Sequence, residues 1–223
     1  MSKTLFIRAI TRFLAGLLMV AALLFIPAGT WDYPQGRLLI GILFVPMFAA
    51  GLVMMKKNPE LLKKRLNVKE EETEQRRVIL LSGIMFPAAF ISAGLSYRHK
   101  WLMLPAAVSI PAAIVFLAAY VLYAEVLREN TYLSRTVEVQ ENQKVIDTGL
   151  YGVVRHPMYM ATVFLFLAMP LVLGSVISFV IMLLYIPIII KRIRNEESVL
   201  AEGLPGYSKY MEKVKYRLIP FVW

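Results

Sequence analysis

The 223-residue chain contains no cysteine, only two histidines and only 18% charged residues. Without cysteine it has no disulfides, no thiol nucleophile and no cysteine-based metal site. Two histidines far apart in the sequence argue against a histidine-based metal cluster. The sequence also has no G-x-G-x-x-G after a strand, no P-loop and no H-E-x-x-H. These absences exclude the common nucleotide-binding and zinc-protease motifs.

Long apolar runs dominate the sequence instead. Hydrophobic residues make up 58% of the chain, whereas a soluble domain is roughly half apolar and about a quarter charged. This composition predicts an integral membrane protein with membrane lipids around it. The net charge of +10 is explained by cytoplasmic loops rich in Lys and Arg, and it needs no nucleic-acid partner.

The lengths of the apolar runs predict the number of membrane spans. A helix needs about 20 apolar residues to cross a bilayer, and four runs are close to that length: residues 10–28, 38–55, 78–97 and 101–123. A fifth run, residues 158–190, is too long for one span and divides naturally at residues 173–176. Pro170 and Pro187 lie in its two halves and should kink them. The sequence therefore predicts an all-α integral membrane protein with about six transmembrane helices, the last two a short helical hairpin.

The distribution of basic residues predicts the orientation. Of the 25 Lys and Arg residues, only Arg37, Arg98 and Lys100 fall on the side opposite the termini. The positive-inside rule then places both termini in the cytoplasm, with the cell inner membrane as the predicted location. The first apolar run follows a basic segment and lacks a clear cleavage site, so we interpret it as a retained first span. The chain is predicted to form one domain, with a four-span scaffold at residues 1–123 and a cofactor-binding and catalytic part at residues 124–223.

The segment TGLYGVVRHPMYM, residues 148–160, places ionisable residues where an apolar helix begins. Pro157 suits the first position of a helix, and the residue before a proline is restricted to extended conformations. Arg155 and His156 are therefore expected beside a helix N-terminus, which attracts carboxylates and other anions. The alternative is that Arg155 is an ordinary positive-inside residue and His156 an ordinary helix cap.

The segment KRIRNEESVL, residues 191–200, follows the predicted hairpin. If the last helix continues past the membrane, Arg192 and Glu196 are neighbours four residues apart on one face. The alternative is a plain surface ion pair. Further along, Tyr207, Tyr210 and Val214 recur at helical spacing among charged residues, which predicts a cytoplasmic C-terminal amphipathic helix on the membrane surface. Such a helix is also compatible with a lid over a site.

These segments, in this order, resemble a known family. TGLYGVVRHPMY, an apolar hairpin, RIRNEESVL and GYSKYMEKVKYRLIP together are similar to the prokaryotic branch of the isoprenylcysteine carboxyl methyltransferases, part of a wider group with the phospholipid N-methyltransferases. The resemblance implies an integral-membrane methyltransferase that uses S-adenosylmethionine without a Rossmann domain. The cofactor would bind between the R-H-P motif, the hairpin and the C-terminal tail.

The resemblance also implies the site residues. Arg192 is expected on the acceptor side and Glu196 on the cofactor side, and both are predicted to be catalytic. The predicted cofactor-binding residues are Val145, Ile146, Tyr151, Arg155, His156, Pro157, Met158, Tyr159, Glu196 and Glu197. Two features depart from the family pattern. Gln143 and Lys144 stand where the family often has a histidine, and the EGLPGY segment is one residue shorter than usual.

The predicted function is methyl transfer to a lipophilic acceptor that enters from the bilayer. An isoprenylcysteine carboxylate is the first candidate acceptor and a phospholipid amine the second. A sterol-reductase-like enzyme that uses NADPH is an alternative of another class, and a non-enzymatic membrane protein such as a small transporter is a third. No predicted span has a charge in its middle, which argues against a transporter because such charges usually mark a substrate path.

Overall fold

A computed structural model describes residues 3–66, 73–133 and 139–223, and in these ranges the regular elements are helices. A short 3-10 helix at Gly149–Gly152 precedes α6. The α-helices, in chain order, are α1 (Lys3–Ala28), α2 (Pro34–Lys57), α3 (Pro59–Leu66), α4 (Thr73–His99), α5 (Ala106–Glu129), α6 (Pro157–Val172), α7 (Val176–Met182), α8 (Tyr185–Gly203) and α9 (Tyr207–Lys213). The predicted all-α class is confirmed for the described residues. The loosely alternating run at residues 125–149 predicts a short extended or looped segment, and its residues 134–138 lie outside the described ranges.

Within the described ranges, five segments are long and apolar enough to cross a membrane: Thr4–Ala28, Pro34–Lys57, Val78–His99, Ala106–Glu129 and Val176–Gly203. They confirm the prediction of an integral membrane protein. The remaining apolar helix, α6, has 16 residues, which corresponds to about 24 Å of helix. A bilayer core is about 30 Å thick, so the prediction of about six complete crossings stays a prediction.

The predicted division of the fifth apolar run is confirmed. α6 ends at Val172, and Gly174 takes a left-handed conformation with φ of +71°, which glycine adopts without steric cost. The hydroxyl of Ser175 then accepts a hydrogen bond from the Ser178 backbone N–H at 3.2 Å and caps α7. A glycine followed by a serine cap therefore ends one helix and begins the next.

The two prolines in this region lie close to helix ends. Pro170 is in the last turn of α6, and Pro187 is in the first turn of α8. The helix is interrupted at residues 183–184, between α7 and α8. A proline ring crowds the carbonyl four residues earlier, which for Pro187 is the carbonyl of Leu183. At Pro187 the expected kink thus takes the form of an interruption between α7 and α8.

Backbone contacts place the hairpin turn at one end of the helix bundle. Leu104 donates its N–H to the carbonyl of Gly174 at 2.8 Å, and Val176 donates to the carbonyl of Leu102 at 3.2 Å. The hydroxyl of Tyr33 reaches the carbonyl of Leu173 at 2.6 Å. The turn between α6 and α7 therefore lies with the loops that join α1 to α2 and α4 to α5.

The basic segments meet at the other end of the bundle. Arg12 near the start of α1 donates to the carbonyl of Leu66 at the end of α3. Arg65 donates to the sulfur of Met158 at the start of α6 at 3.8 Å. The R-H-P motif is therefore at the same end as the beginning of the chain, as the predicted topology requires.

Glu129, the last residue of α5, fixes the segment that leads into the motif. Its carboxylate accepts hydrogen bonds from the Thr148 hydroxyl at 2.8 Å and from the Leu150 N–H at 3.3 Å. Gly149 between them has φ of +49°, and a Cβ there would lie 2.3 Å from a carboxylate oxygen of Glu129. Only glycine suits this position. The predicted boundary at residue 123 falls inside α5, and the division into scaffold and functional part stays a prediction.

The C-terminal helices differ in one respect from the expectation. α8 continues past its apolar half to Gly203, as predicted, and α9 begins after Gly206, whose φ is +87°. The apolar face of α9 packs inside the protein. It forms a small core with the surrounding loop and α8, whose buried members are Leu204, Tyr207, Tyr210 and Val214 and whose partly buried members include Val139, Val145 and Leu200. This packing favours the lid interpretation over a helix whose apolar face rests on lipid.

Candidate active site

A cavity lies between the segment that leads into α6, the middle of α8 and α9. Its empty volume, with the solvent-filled mouth included, is about 820 Å³. The lining is mixed in character. The lining residues are Asn130, Tyr132, Leu133, Gln143, Lys144, Val145, Ile146, Tyr151, Arg155, His156, Met158, Tyr159, Arg192, Glu196, Leu200, Leu204, Tyr207 and Tyr210.

The R-H-P motif begins α6 as the sequence predicts. Pro157 is the first helical residue, and His156 is the N-cap residue with φ of −126° and ψ of 60°. Its side chain makes no capping hydrogen bond in the described structure. Arg155 and His156 are only 7% and 5% exposed. Arg155 is therefore not an exposed loop arginine and His156 caps α6 by position without a side-chain bond, so both side chains are buried for another reason.

That reason is Glu197. One of its carboxylate oxygens accepts from Nε of Arg155 at 2.7 Å and lies 3.2 Å from Nε2 of His156, and the other accepts from Nε of Arg217 at 2.7 Å. The carboxyl group is 6% exposed. A buried carboxylate needs such partners because desolvation is costly when a charge is unpaired. Two arginines against one carboxylate leave an excess of positive charge beside the cavity.

Tyr159 connects the two charged residues that the sequence singles out on α8. Its hydroxyl donates to the carboxylate of Glu196 and accepts from Nε of Arg192 at 2.9 Å. The Tyr159 ring is 4% exposed and stacks on the ring of His156 with 5.7 Å between centroids. The alternative of a plain surface ion pair is therefore wrong. Arg192 and Glu196 share a buried tyrosine hydroxyl at the cavity wall.

Three further tyrosines give the cavity an aromatic side. The Tyr151 hydroxyl accepts from the side-chain amide of Asn130 at 3.0 Å, and the Tyr210 hydroxyl donates to the backbone carbonyl of Tyr151 at 2.8 Å. Burial raises the pKa of the Tyr151, Tyr207 and Tyr210 phenols above their ordinary value. These phenols therefore stay protonated at neutral pH and act as neutral hydrogen-bonding groups.

The Tyr207 hydroxyl is buried and has no hydrogen-bond partner among the described residues. Buried polar groups in native structures are nearly always paired, so this hydroxyl points to a polar ligand in the cavity. S-adenosylmethionine fits the residues present. The lining offers negative charge at Glu196, positive charge at Arg155 and an aromatic and aliphatic side, which are the complements that its cationic groups, its carboxylate and its adenosine would need.

The cavity brings together most of the predicted site residues. Those that line it are Val145, Ile146, Tyr151, Arg155, His156, Met158, Tyr159, Arg192 and Glu196. Pro157 and Glu197 do not line it in the described structure. Pro157 starts α6, and Glu197 faces the C-terminal segment. The binding and catalytic roles of all these residues stay predictions.

Sequence reasoning missed several lining residues. Asn130 and Tyr132 come from the turn that follows α5, and Gln143 and Lys144 from the loop before the motif. The helical spacing predicts Tyr207 and Tyr210 on one face, and both are buried, but that spacing does not indicate that the face covers a cavity. No local signal marks Asn130, because its contact with the Tyr151 hydroxyl joins residues 21 positions apart in the chain.

Comparison with known proteins identifies a family match over the segment that forms most of the cavity wall. No curated protein matches the chain. The model of the isoprenylcysteine carboxyl methyltransferase family matches residues 111–202, which include most of α5, the R-H-P motif, the hairpin and nearly all of α8. This family consists of methyltransferases. The predicted resemblance is confirmed: residues 111–202, the segment that builds most of the candidate site, match the isoprenylcysteine carboxyl methyltransferase family.

Proposed function

We propose that this protein transfers a methyl group from S-adenosylmethionine to a lipophilic acceptor that reaches the cavity from the bilayer. The observation that carries the proposal is a single cavity whose wall holds Glu196, Arg192 and the bridging Tyr159 hydroxyl at the end of a membrane-spanning bundle. An isoprenylcysteine carboxylate is the proposed acceptor class. The protein is proposed to lie in the cell inner membrane with the cavity facing the cytoplasm, where the cofactor is available.

The cofactor would be held by residues from three segments. Glu196 would pair with its cationic part, since a charge-assisted hydrogen bond is roughly twice as strong as a neutral one. The N-terminus of α6 and the positive cluster around Arg155 would face its carboxylate. The unpartnered Tyr207 hydroxyl would hydrogen-bond to its polar groups. When bound, S-adenosylmethionine supplies an electrophilic methyl group.

The remaining residues would orient the acceptor. The Arg192 guanidinium offers a planar set of donors that suits a carboxylate, and the Tyr159 hydroxyl fixes its position relative to Glu196. A carboxylate acceptor is already a nucleophile, so these residues need to align it and exclude water, with no proton to remove. An amine acceptor would need a base beside it.

The test is a pair of measurements on the purified protein in detergent or lipid nanodiscs. Calorimetry should show S-adenosylhomocysteine binding, and labelled S-adenosylmethionine should label a component of a membrane lipid extract only when the protein is present. NADPH, the cofactor of the alternative reductase function, is tested in parallel. A thermal shift with NADPH and none with S-adenosylhomocysteine would contradict the proposal and favour a reductase.

A further inference from the structure

The segment that follows α9 folds back onto the R-H-P motif. The backbone N–H of Arg155 donates to the carbonyl of Tyr216, and that of His156 donates to the carbonyl of Arg217, each at 2.9 Å. The Arg155 side chain adds hydrogen bonds from Nη1 to the carbonyls of Val214 at 2.7 Å and Lys215 at 3.0 Å. Two cavity-lining residues are therefore held from behind by the C-terminal segment, residues 214–223.

The end of that segment is closed on itself. The carbonyl of Trp223 accepts hydrogen bonds from the N–H groups of Arg217 and Leu218 at 2.9 Å and of Ile219 at 3.2 Å. The Arg217 guanidinium lies over the Trp223 indole, 5.3 Å from the ring centroid. This compact loop holds Arg217 in the orientation in which it reaches Glu197.

Glu197 is the side chain that joins the motif to this loop. It accepts from Arg155 and lies beside His156 on the motif side, and it accepts from Arg217 on the loop side. Arg217 is 35% exposed at its side chain, whereas Arg155 is 6% exposed. Water can therefore solvate the Arg217 guanidinium if its contact with Glu197 breaks. The buried Arg155 guanidinium depends on Glu197 for its charge balance.

We propose that Glu197 is a positioning residue that clamps the C-terminal segment onto the R-H-P motif and so sets the wall of the cavity at Arg155 and His156. It acts through these two residues and does not itself contact the cofactor. The part of the inference that concerns cofactor affinity rests on the proposed function; the clamp itself does not. A glutamine at this position would keep the shape of the side chain. Its NH₂ group would, however, face one of the N–H donors of Arg155, His156 or Arg217, where the carboxylate has an acceptor.

The first experiment tests the clamp without any cofactor. Hydrogen exchange is measured by mass spectrometry on the full chain in nanodiscs for Glu197→Gln, Arg217→Gln and the matched control Lys209→Gln. Lys209 is exposed on α9, and its replacement removes a positive charge as Arg217→Gln does. We expect peptides covering Arg155 and His156, whose N–H groups donate to the carbonyls of Tyr216 and Arg217, to exchange about tenfold faster or more in the first two variants, as the loss of one charge-assisted hydrogen bond implies. Exchange equal to that of the parent in both would overturn the clamp.

The second experiment tests the link to the cavity. S-adenosylhomocysteine affinity should fall about tenfold or more in Glu197→Gln and in Arg217→Gln. If both residues act through one clamp, the double variant should lose no more than the worse single variant, whereas two independent losses of stability would add. If Glu197→Gln does not fold, Arg217→Gln decides alone, because it leaves Glu197 paired with Arg155.

The two possible failures can be told apart. If the parent does not bind S-adenosylhomocysteine, the proposed function fails while the exchange result still judges the clamp. If the parent binds and the clamp variants bind equally well, the positioning role is overturned and the proposed function stands.

Discussion

The hydroxyl of Tyr159 accepts a hydrogen bond from Nε of Arg192 at 2.9 Å and donates to the carboxylate of Glu196. The two charged residues are one turn apart on α8, and the tyrosine comes from the first turn of α6. One buried oxygen thus fixes the positions of a cation and an anion on the cavity wall. In the proposed function these two charges face different reactants, so the hydroxyl sets how the reactants meet.

Tyr159→Phe should therefore slow methyl transfer while it changes the free energy of unfolding only slightly. The change removes only the hydroxyl and keeps the ring that stacks on His156. We expect turnover to fall by about tenfold to a hundredfold, since small errors in alignment are costly in a displacement reaction. Steady-state kinetics with one accepted lipid measures it. Tyr97→Phe, which removes a hydroxyl bound to the carbonyl of Asp32 at the other end of the bundle, is the matched control and should act like the parent.

Glu196→Gln should weaken S-adenosylhomocysteine binding by about 1.5–3 kcal/mol, the usual contribution of a hydrogen bond to a charged group. The amide keeps the size of the side chain but removes its charge. Calorimetry on the purified variant gives the value directly. An affinity equal to that of the parent would place the cationic part of the cofactor elsewhere.

Arg192→Lys should leave cofactor affinity nearly unchanged and depress turnover of the lipid acceptor. Lysine keeps the charge but loses the planar set of donors that grips a carboxylate, and it cannot reproduce the Nε contact with Tyr159. The variant is compared with Glu196→Gln in the same two assays. If Arg192→Lys abolishes cofactor binding while Glu196→Gln does not, the two roles are reversed.

His156→Ala should weaken S-adenosylhomocysteine binding, because the ring lines the cavity, stacks on Tyr159 and contacts Glu197. His99→Ala is the natural control. His99 stacks on Trp101 at the opposite end of the bundle, and its loss should leave binding intact. Calorimetry on both variants, with thermal unfolding alongside, separates the effects. Equal losses of affinity in both would indicate a general effect on stability.

Gly149→Ala should destabilise the protein by about 1–3 kcal/mol. An alanine there has to adopt a left-handed conformation and its Cβ displaces the Glu129 carboxylate, which then loses its bonds to Thr148 and Leu150. Gly83→Ala in α4 has nothing within 4 Å of the added Cβ and should be neutral or slightly stabilising. Denaturant unfolding in detergent compares the pair.

The sequence by itself determined the membrane class, the helical class and several boundaries. Apolar runs of about 20 residues have to form helices in a bilayer because no other structure satisfies their backbone groups there. The break after Val172, the start of α6 at Pro157 and the continuation of α8 past its apolar half followed from glycine, proline and helical spacing. These features are local, and local chemistry predicts them.

The tertiary structure decided what each charged residue faces. Glu196 and Glu197 are adjacent on α8, but side chains of neighbouring helical residues point about 100° apart. Glu196 therefore meets Tyr159 at the cavity, and Glu197 meets Arg155 and Arg217 behind it. The sequence of α8 does not indicate how the helix is rotated about its axis. Only packing against α6 and the C-terminal segment fixes that rotation, because it depends on contacts between residues far apart in the chain.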